Sequence, residues 1–317
     1  MKIIGTGSAM PSLAVTNEML SEILDTSDEW ITTRTGIKQR RILSEDTLTA
    51  LAVSASQRAL ESAGLIAQDL DYIVCSNVVN NFVTPSLSCI LQGEIGAGCP
   101  SIDLNAACTG FIYALDIAES FIKTGRAENI LVICAEQPSR MVNWKERNTC
   151  VLFGDGAAAV IVSKGDAFKG FHITTQSKIE PLYYQRKLEF NPYVSQADGD
   201  APLIMNGKDV FKLAVSSSVS DIRNVLEKSK TTADDIKYFL LHQANIRIIE
   251  SVRDFTKQPD EKFPHNIEKY GNTSSASIPI LLDELHKANK LEKGDLLVFS
   301  AFGAGFTTGA CVLEWTI

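Results

Sequence analysis

Apolar positions along the chain fall into two alternating rhythms. Stretches with the 3.6-residue period of an amphipathic helix run from Thr47 to Ala63, Gly110 to Lys123, Val210 to Lys228 and Ser277 to Ala288. Between and after them lie apolar runs too brief for helices: Tyr72 to Cys75, Ile130 to Ala135, Ala157 to Val162, Tyr238 to Leu241, Leu296 to Ala301 and Gly309 to Trp315. A run that is apolar on both faces suits a strand covered by helices on both sides. The pattern predicts βαβ units and buried, largely parallel sheets, hence an α/β protein. At the start, Lys2-Ile3-Ile4-Gly5 reads as a short strand entering a glycine turn, not as a signal peptide.

The same order of elements occurs twice. Ala59-Leu60-Glu61-Ser62 can be laid on Val225-Leu226-Glu227-Lys228, and Asp69 to Cys75 on Asp235 to Leu241, both at a shift of 166 residues. Asn129 to Ala135 falls on Asp295 to Ala301 at the same shift. Three matches at one offset, in one order, predict two similar halves, 1–165 and 166–317, packed as a layered α/β/α/β/α body. A length of 317 residues fits such a pair better than one domain.

Composition narrows the function classes. Apolar residues make up 45% of the chain and charged residues 21%, with ten prolines, which excludes a disordered or collagen-like chain. No apolar run approaches the ~20 residues of a membrane span, so a cytoplasmic protein with no membrane partner is expected. Thirty basic against 38 acidic side chains give a net charge of −8, which disfavours nucleic acid as a partner. The seven cysteines are odd in number, scattered and mostly flanked by apolar residues, a pattern of reduced core thiols. No CxxC or HxxxH pair occurs, so no metal site is expected.

Four loops remain as carriers of chemistry, each following a strand or opening a helix. In Asp103 to Phe111, small residues surround Cys108 directly before a helical pattern, where unpaired N–H groups and the helix dipole would favour thiolate and lower its pKa. A buried structural thiol is the competing reading. His242, in Leu241-His242-Gln243-Ala244-Asn245, follows an apolar strand, where a lone histidine is more often a surface or hydrogen-bonded residue than a catalyst. Gly271 to Ser277 corresponds to the Cys108 loop at the 166 shift, with Ser274 opposite Cys108. That would bring Asn272 near the thiol, although an ordinary helix cap explains the same residues. The turn from Ala301 to Gly309 lacks the following helix that a dinucleotide fingerprint needs, and suits backbone N–H groups aimed at a developing oxyanion.

Together these loops resemble the thiolase superfamily and, within it, the β-ketoacyl-[acyl-carrier-protein] synthase III family, over essentially the whole chain. The motifs are Asp28-Glu29-Trp30-Ile31 with Arg34-Thr35-Gly36-Ile37, Ala106-Ala107-Cys108 with Gly110-Phe111, Phe153-Gly154-Asp155-Gly156-Ala157, His242 to Asn245, Gly271 to Ser277, and the Phe302 to Gly309 turn. The resemblance implies a thiolase-like fold and a catalytic Cys108, His242 and Asn272. Cys108 would take an acyl group from acyl-CoA, and malonyl-acyl carrier protein would then lose CO2 and condense with it, initiating type II fatty acid synthesis. It further implies an oxyanion hole from the backbone of Cys108 and Ala304, and CoA contacts at Trp30, Arg34, Arg147, Gly207, Phe211 and Asn245. A carrier-protein surface at Lys212 and Arg247, a homodimer, and no metal or organic cofactor complete what it implies. Alternatives on the same scaffold are a non-condensing acyltransferase, a polyketide starter enzyme and a catalytically silent partner subunit.

The sequence departs from the family pattern at two places. Thr308 stands where many members have tryptophan. Thr84 lies where some acetyl-selective members place a phenylalanine that closes the acyl pocket across the dimer, so a roomier pocket is expected. The polar stretch from Ile179 to Leu203 is expected to shape the tunnel mouth.

Overall fold

A computed structural model describes residues 1–185, 193 and 202–317 of the chain. Much of the Ile179 to Leu203 stretch (186–192 and 194–201) therefore lies outside the described residues. The first sheet uses β1 (Lys2–Ala9), β2 (Tyr72–Ser76), β3 (Ser101–Leu104), β4 (Ile130–Glu136) and β5 (Gly156–Ser163). The second uses β6 (Phe168–Lys178), β7 (Ile236–Leu241), β8 (Leu296–Gly303) and β9 (Gly305–Glu314). Spatial order is β1-β5-β4-β2-β3 in the first and β6-β9-β8-β7 in the second. Apart from the extra edge strand β3, the two orders are the same, and so are the directions of corresponding pairs.

The sheets are mixed, not largely parallel. β2–β4, β2–β3 and β7–β8 are parallel, while the strands that close each half pair antiparallel. At β8–β9 the cause is visible in the chain: a tight turn at Ala304 joins them, and so short a connection can only link antiparallel strands. β1 is longer than the sequence pattern suggests because it runs on past Gly5 and Gly7. At these two positions the helix Leu48–Ala63 lies so close that an added Cβ would meet the Ala59 or Ala55 carbonyl at 2.4 Å.

The helices that build the layers are α1 (Asp28–Thr35), α2 (Leu48–Ala63), α3 (Leu87–Ile95), α4 (Gly110–Lys123), α5 (Gly207–Ser229), α6 (Ile246–Thr256) and α7 (Ser277–Lys287). α4 and α7 are sandwiched between the sheets and share one core with both. α2 and α3 cover the outer face of the first sheet, and α5 and α6 that of the second. The central pair explains why the strand runs are apolar throughout. In β4, Ile130, Val132 and Cys134 face the shared core, while Leu131 and Ile133 face α2 and α3.

This alternation corrects the alignment of the two halves. In β8 the inward set is Leu297, Phe299 and Ala301, which corresponds to Ile130, Val132 and Cys134 at an offset of 167. The ladders agree, since Tyr72 pairs with Ile130 and Tyr238 with Leu297. An offset of 166 holds between β2 and β7 but would turn every β4 side chain to the wrong face.

Candidate active site

The Cys108 loop and the Asn272 loop each enter a buried central helix through the same local turn. Asn105 Oδ1 accepts the Ala107 N–H at 3.1 Å, and Asn272 Oδ1 accepts the Ser274 N–H at 2.9 Å. Ala107 (φ 48°) and Ser274 (φ 54°) then take the left-handed conformation, and a single 3-10 turn leads into α4 or α7. Ser275, not Ser274, is thus the counterpart of Cys108, as the 167 offset requires. Ser274 lines the same cavity as Cys108.

Cys108, His242 and Asn272 all line one cavity of about 870 Å³. Asn272 is clamped by main chain from the first half: its N–H donates to the Leu152 carbonyl at 2.8 Å, and its carbonyl accepts the Gly154 N–H at 3.0 Å. With Oδ1 held by the turn, its amide nitrogen is the free end of the side chain among the described residues. His242 follows β7, with its N–H donating to the Ser300 carbonyl at 2.9 Å. Its Nδ1 lies 2.8 Å from the Ser277 hydroxyl, and the ring meets Phe302 edge-on at a centroid distance of 5.2 Å. Burial brings His242 down to about 3, so the ring is neutral. Ser277 Oγ also accepts the Gln243 N–H at 3.3 Å.

The thiol departs from the sequence-based expectation. Burial pushes Cys108 up to about 12. The N-terminal end of α4 begins only after the intervening 3-10 turn.

The glycine-rich turn packs directly on Cys108. A Cβ at Gly303 would stand 2.7 Å from the Cys108 nitrogen, so only glycine permits the approach. Thr307 Oγ1 donates to the carbonyls of Ala106 (3.0 Å) and Ala304 (3.2 Å), tying the turn to the Cys108 loop. Among the described residues neither the Cys108 N–H nor the Ala304 N–H has a protein acceptor, and both residues line the cavity.

The other anticipated residues divide into two groups. Gly207 and Phe211 of α5 and Asn245 at the start of α6 line the cavity. The Asn245 side chain is already engaged: Oδ1 caps α6 at Arg247 N–H (2.9 Å), and Nδ2 donates to the Arg34 carbonyl (3.1 Å). Trp30, Arg34 and Arg147 do not line the cavity; they form a separate cluster, with the Arg34 and Arg147 guanidinium carbons 4.7 and 4.9 Å from the Trp30 ring centroid. Arg147 is held there by the Asp25 carbonyl and, at 3.4 Å, by its carboxylate. A planar base between Trp30 and Arg147 needs two contacts of about 3.5 Å, roughly 7 Å in all, so Arg147 must swing outward to admit one. Lys212 and Arg247 are exposed, and Arg247 also donates to the Thr33 carbonyl at 2.9 Å. Thr84 is exposed and outside the cavity of its own chain, although its neighbour Val83 lines it. Thr308 is buried and shares a 2.8 Å hydrogen bond with Thr174 on β6.

Sequence reasoning missed Ser277 and Thr307. Among the described residues no helix is long and apolar enough to cross a membrane, and no His, Cys, Asp or Glu cluster could hold a metal.

Comparison with known proteins agrees with this architecture. Residues 102–178 match the family model of 3-oxoacyl-[acyl-carrier-protein] synthase III, and residues 226–315 match the model of that family's C-terminal region. The β-ketoacyl-[acyl-carrier-protein] synthase III of Aquifex aeolicus is 45% identical over 315 residues, covering 99% of both chains. The crystal structure of the 3-oxoacyl-[acyl-carrier-protein] synthase III from that organism superposes with a TM-score of 0.93 at 44% identity, again over 99% of each chain. The priming β-ketosynthase of the R1128 polyketide biosynthetic pathway gives 0.93 at 34% identity, over 99% of this chain and 96% of that one.

Proposed function

The chain belongs to the β-ketoacyl-[acyl-carrier-protein] synthase III family, and we propose that it condenses an acyl-CoA primer with malonyl-acyl carrier protein through an acyl group on Cys108. The observation that carries this reading is the convergence of Cys108, His242 and Asn272 on one cavity, with the last two arranged as hydrogen-bond donors.

In the first half-reaction the Cys108 sulfur attacks the acyl-CoA thioester and CoA leaves. The tetrahedral oxyanion takes the free N–H groups of Cys108 and Ala304, which Gly303 allows to lie close together. In the second, malonyl carrier protein loses CO2 and leaves an enolate oxygen. Asn272 presents its amide N–H, since its oxygen is tied to Ser274. Ser277 already accepts from Gln243; with its own proton directed to His242 Nδ1, the neutral ring carries its hydrogen on Nε2. Both donors thus stabilise charge that exists only as the reaction proceeds. The enolate carbon then attacks the acyl-cysteine.

Around this centre, Trp30, Arg34 and Arg147 would hold the CoA nucleotide, with Gly207, Phe211 and Asn245 along the arm, and Lys212 and Arg247 would receive the acidic carrier protein. The halves 1–165 and 166–317 each supply one wall of the site, in a homodimer in which Thr84 faces the partner's acyl pocket. A starter role in a polyketide pathway uses the same chemistry, and the likeness to the R1128 priming enzyme favours it as the second reading.

The test is a product assay with acyl-CoA and malonyl carrier protein. One CO2 and one β-ketoacyl carrier protein per CoA released are expected. Acyl transfer to an alcohol or amine without CO2 would replace this reading by the non-condensing acyltransferase.

A further inference from the structure

A buried guanidinium packs against the main-chain clamp on Asn272, and neither half-reaction uses it. Arg40 stands in the strand Gln39–Ile42, which pairs with Leu13–Thr16, and is fully buried. Its Nη1 donates to the Val15 carbonyl at 3.1 Å, and its Nη2 to Asn17 Oδ1 and the Val151 carbonyl, both at 2.8 Å. Among the described residues its Nε has no acceptor, and no carboxylate pairs with the group. Burial lowers Arg40 to about 10, so it stays charged at neutral pH. A lone buried charge is costly, and charge-assisted bonds to fixed oxygens are what offset that cost.

Val151 opens the segment that grips Asn272. The Leu152 carbonyl accepts the Asn272 N–H at 2.8 Å, the Gly154 N–H donates to the Asn272 carbonyl at 3.0 Å, and Phe153 pairs with Asn272 in a parallel bridge. The stem of Arg40 touches both sides of this grip. A Cβ added at Gly154 would stand 3.2 Å from Arg40 Cβ, and one added at Gly271 3.3 Å. One side chain therefore packs against both main-chain segments and bonds the carbonyl where the first begins. The Cys108 loop is held separately, by the Asn105 turn and by Thr307, and Arg40 makes no bond to it among the described residues.

We infer that Arg40 is a positioning residue for condensation: it holds the Val151 to Gly154 segment so that Asn272 presents its amide N–H to the enolate oxygen. The inference rests on the condensing reading of the site. Arg40 does not line the cavity and touches no reacting atom. Without the guanidinium, the Val151 carbonyl loses its partner and the segment can shift with Asn272 attached. A misplacement of about 1 Å can cost roughly a hundredfold in rate. Arg40 also reaches α1 through Asn17, whose Nδ2 donates to Asp28 Oδ1 and the Ile37 carbonyl, each at 2.8 Å. That branch leads to the helix of Trp30, so its loosening is read in the KM for acyl-CoA and not in turnover at saturation.

The experiment measures the two half-reactions separately on the whole enzyme, for Arg40→Met and Arg40→Lys, each alone and combined with Asn272→Ala. Acylation is the rate of adduct formation on Cys108 at saturating acyl-CoA, and condensation is CO2 release from malonyl carrier protein by the preformed acyl-enzyme. Arg40→Met is expected to slow condensation at least about tenfold with acylation within about threefold of wild type. Arg40→Lys, with one nitrogen for three acceptors, is expected to lose at least about threefold in condensation alone. With Asn272 already alanine, neither change should cost more than about twofold further. Equal loss in both half-reactions, condensation within twofold of wild type in folded Arg40→Met, or an undiminished further loss beside Asn272→Ala would overturn the inference. Should Arg40→Met fail to fold, Arg40→Lys decides; if neither folds, Arg40 serves folding and the inference falls. A wild type that forms the adduct but releases no CO2 would instead refute the condensing reading.

Discussion

Asn105 and Asn272 fold the same turn in the two halves, each side-chain oxygen accepting the backbone N–H two residues on, at 3.1 and 2.9 Å. In one copy the turn delivers a thiol to the cavity; in the other it fixes the orientation of an amide. One turn thus serves two purposes, and the matching strand orders of the two sheets place it at the same position in each half. The predictions below test whether each copy has the role its geometry gives it.

If Asn272 and His242 serve the enolate alone, they are dispensable for acylation. Asn272→Ala and His242→Ala should each lower condensation by roughly a hundredfold or more, with adduct formation on Cys108 changed only a few fold. Separate measurement of adduct formation and CO2 release checks this. Equal loss in both half-reactions would place these residues in acylation as well.

Gly303→Ala should damage the oxyanion site and the fold together. The added methyl would stand 2.7 Å from the Cys108 nitrogen and 3.0 Å from Ala107 Cβ. A loss of about 1–3 kcal/mol is expected in urea denaturation, with acylation slowed more than acyl-CoA binding is weakened. Unchanged acylation in a folded variant would remove the turn from the oxyanion hole.

His242 gives a pH-dependent signature. Its folded value, about 3, lies below the ordinary histidine value of 6.5. Above 6.5 the group adds no pH dependence; as pH falls from there toward 3, the unfolded chain binds a proton that the folded chain refuses, and stability is lost. Replacing His242 with Gln should therefore shift the variant-minus-wild-type difference in the variant's favour by about 2 kcal/mol between pH 7 and pH 5. Chemical denaturation at the two pH values measures it, and a constant difference would mean that the imidazole protonates freely in the fold.

The Trp30 cluster should act on the nucleotide and nothing else. Loss of one stacking face is worth about 1–2 kcal/mol, so Trp30→Ala should raise the KM for acyl-CoA roughly tenfold with kcat little changed. An acyl-pantetheine substrate, which lacks the nucleotide, should show no such rise. A parallel rise for both substrates would assign Trp30 a structural role.

Much of this organisation is legible in the sequence. The apolar runs locate β2, β4, β5, β7, β8 and β9 within a few residues because most positions in these strands are buried, whereas β3 and β6 have almost no buried position and give no such run; α4 matches its expected range of Gly110 to Lys123. What periodicity could not supply was the register between halves: Ile130 resembles Leu296 as a letter, but only inward and outward facing shows that it corresponds to Leu297. The closing strands look parallel until the turn at Ala304 is seen to be too short for a crossover. The loops that carry Cys108, His242 and Asn272 stand out in the sequence, and the structure places all three residues on one cavity. Ser277 does not stand out, because a serine at a helix start carries no distinctive local pattern. The thiol's pKa was misjudged for a related reason, since sequence shows the helix behind Cys108 but not the desolvation around it.

The central claim is that Cys108 carries the acyl group between donor and acceptor. Its most direct test is the intact mass of wild type and Cys108→Ala after incubation with a panel of acyl-CoAs, followed by addition of malonyl carrier protein. One acyl adduct in wild type, none in the variant, and its discharge as a β-ketoacyl product are expected. An adduct that persists in Cys108→Ala, or one that malonyl carrier protein cannot discharge, would contradict the account.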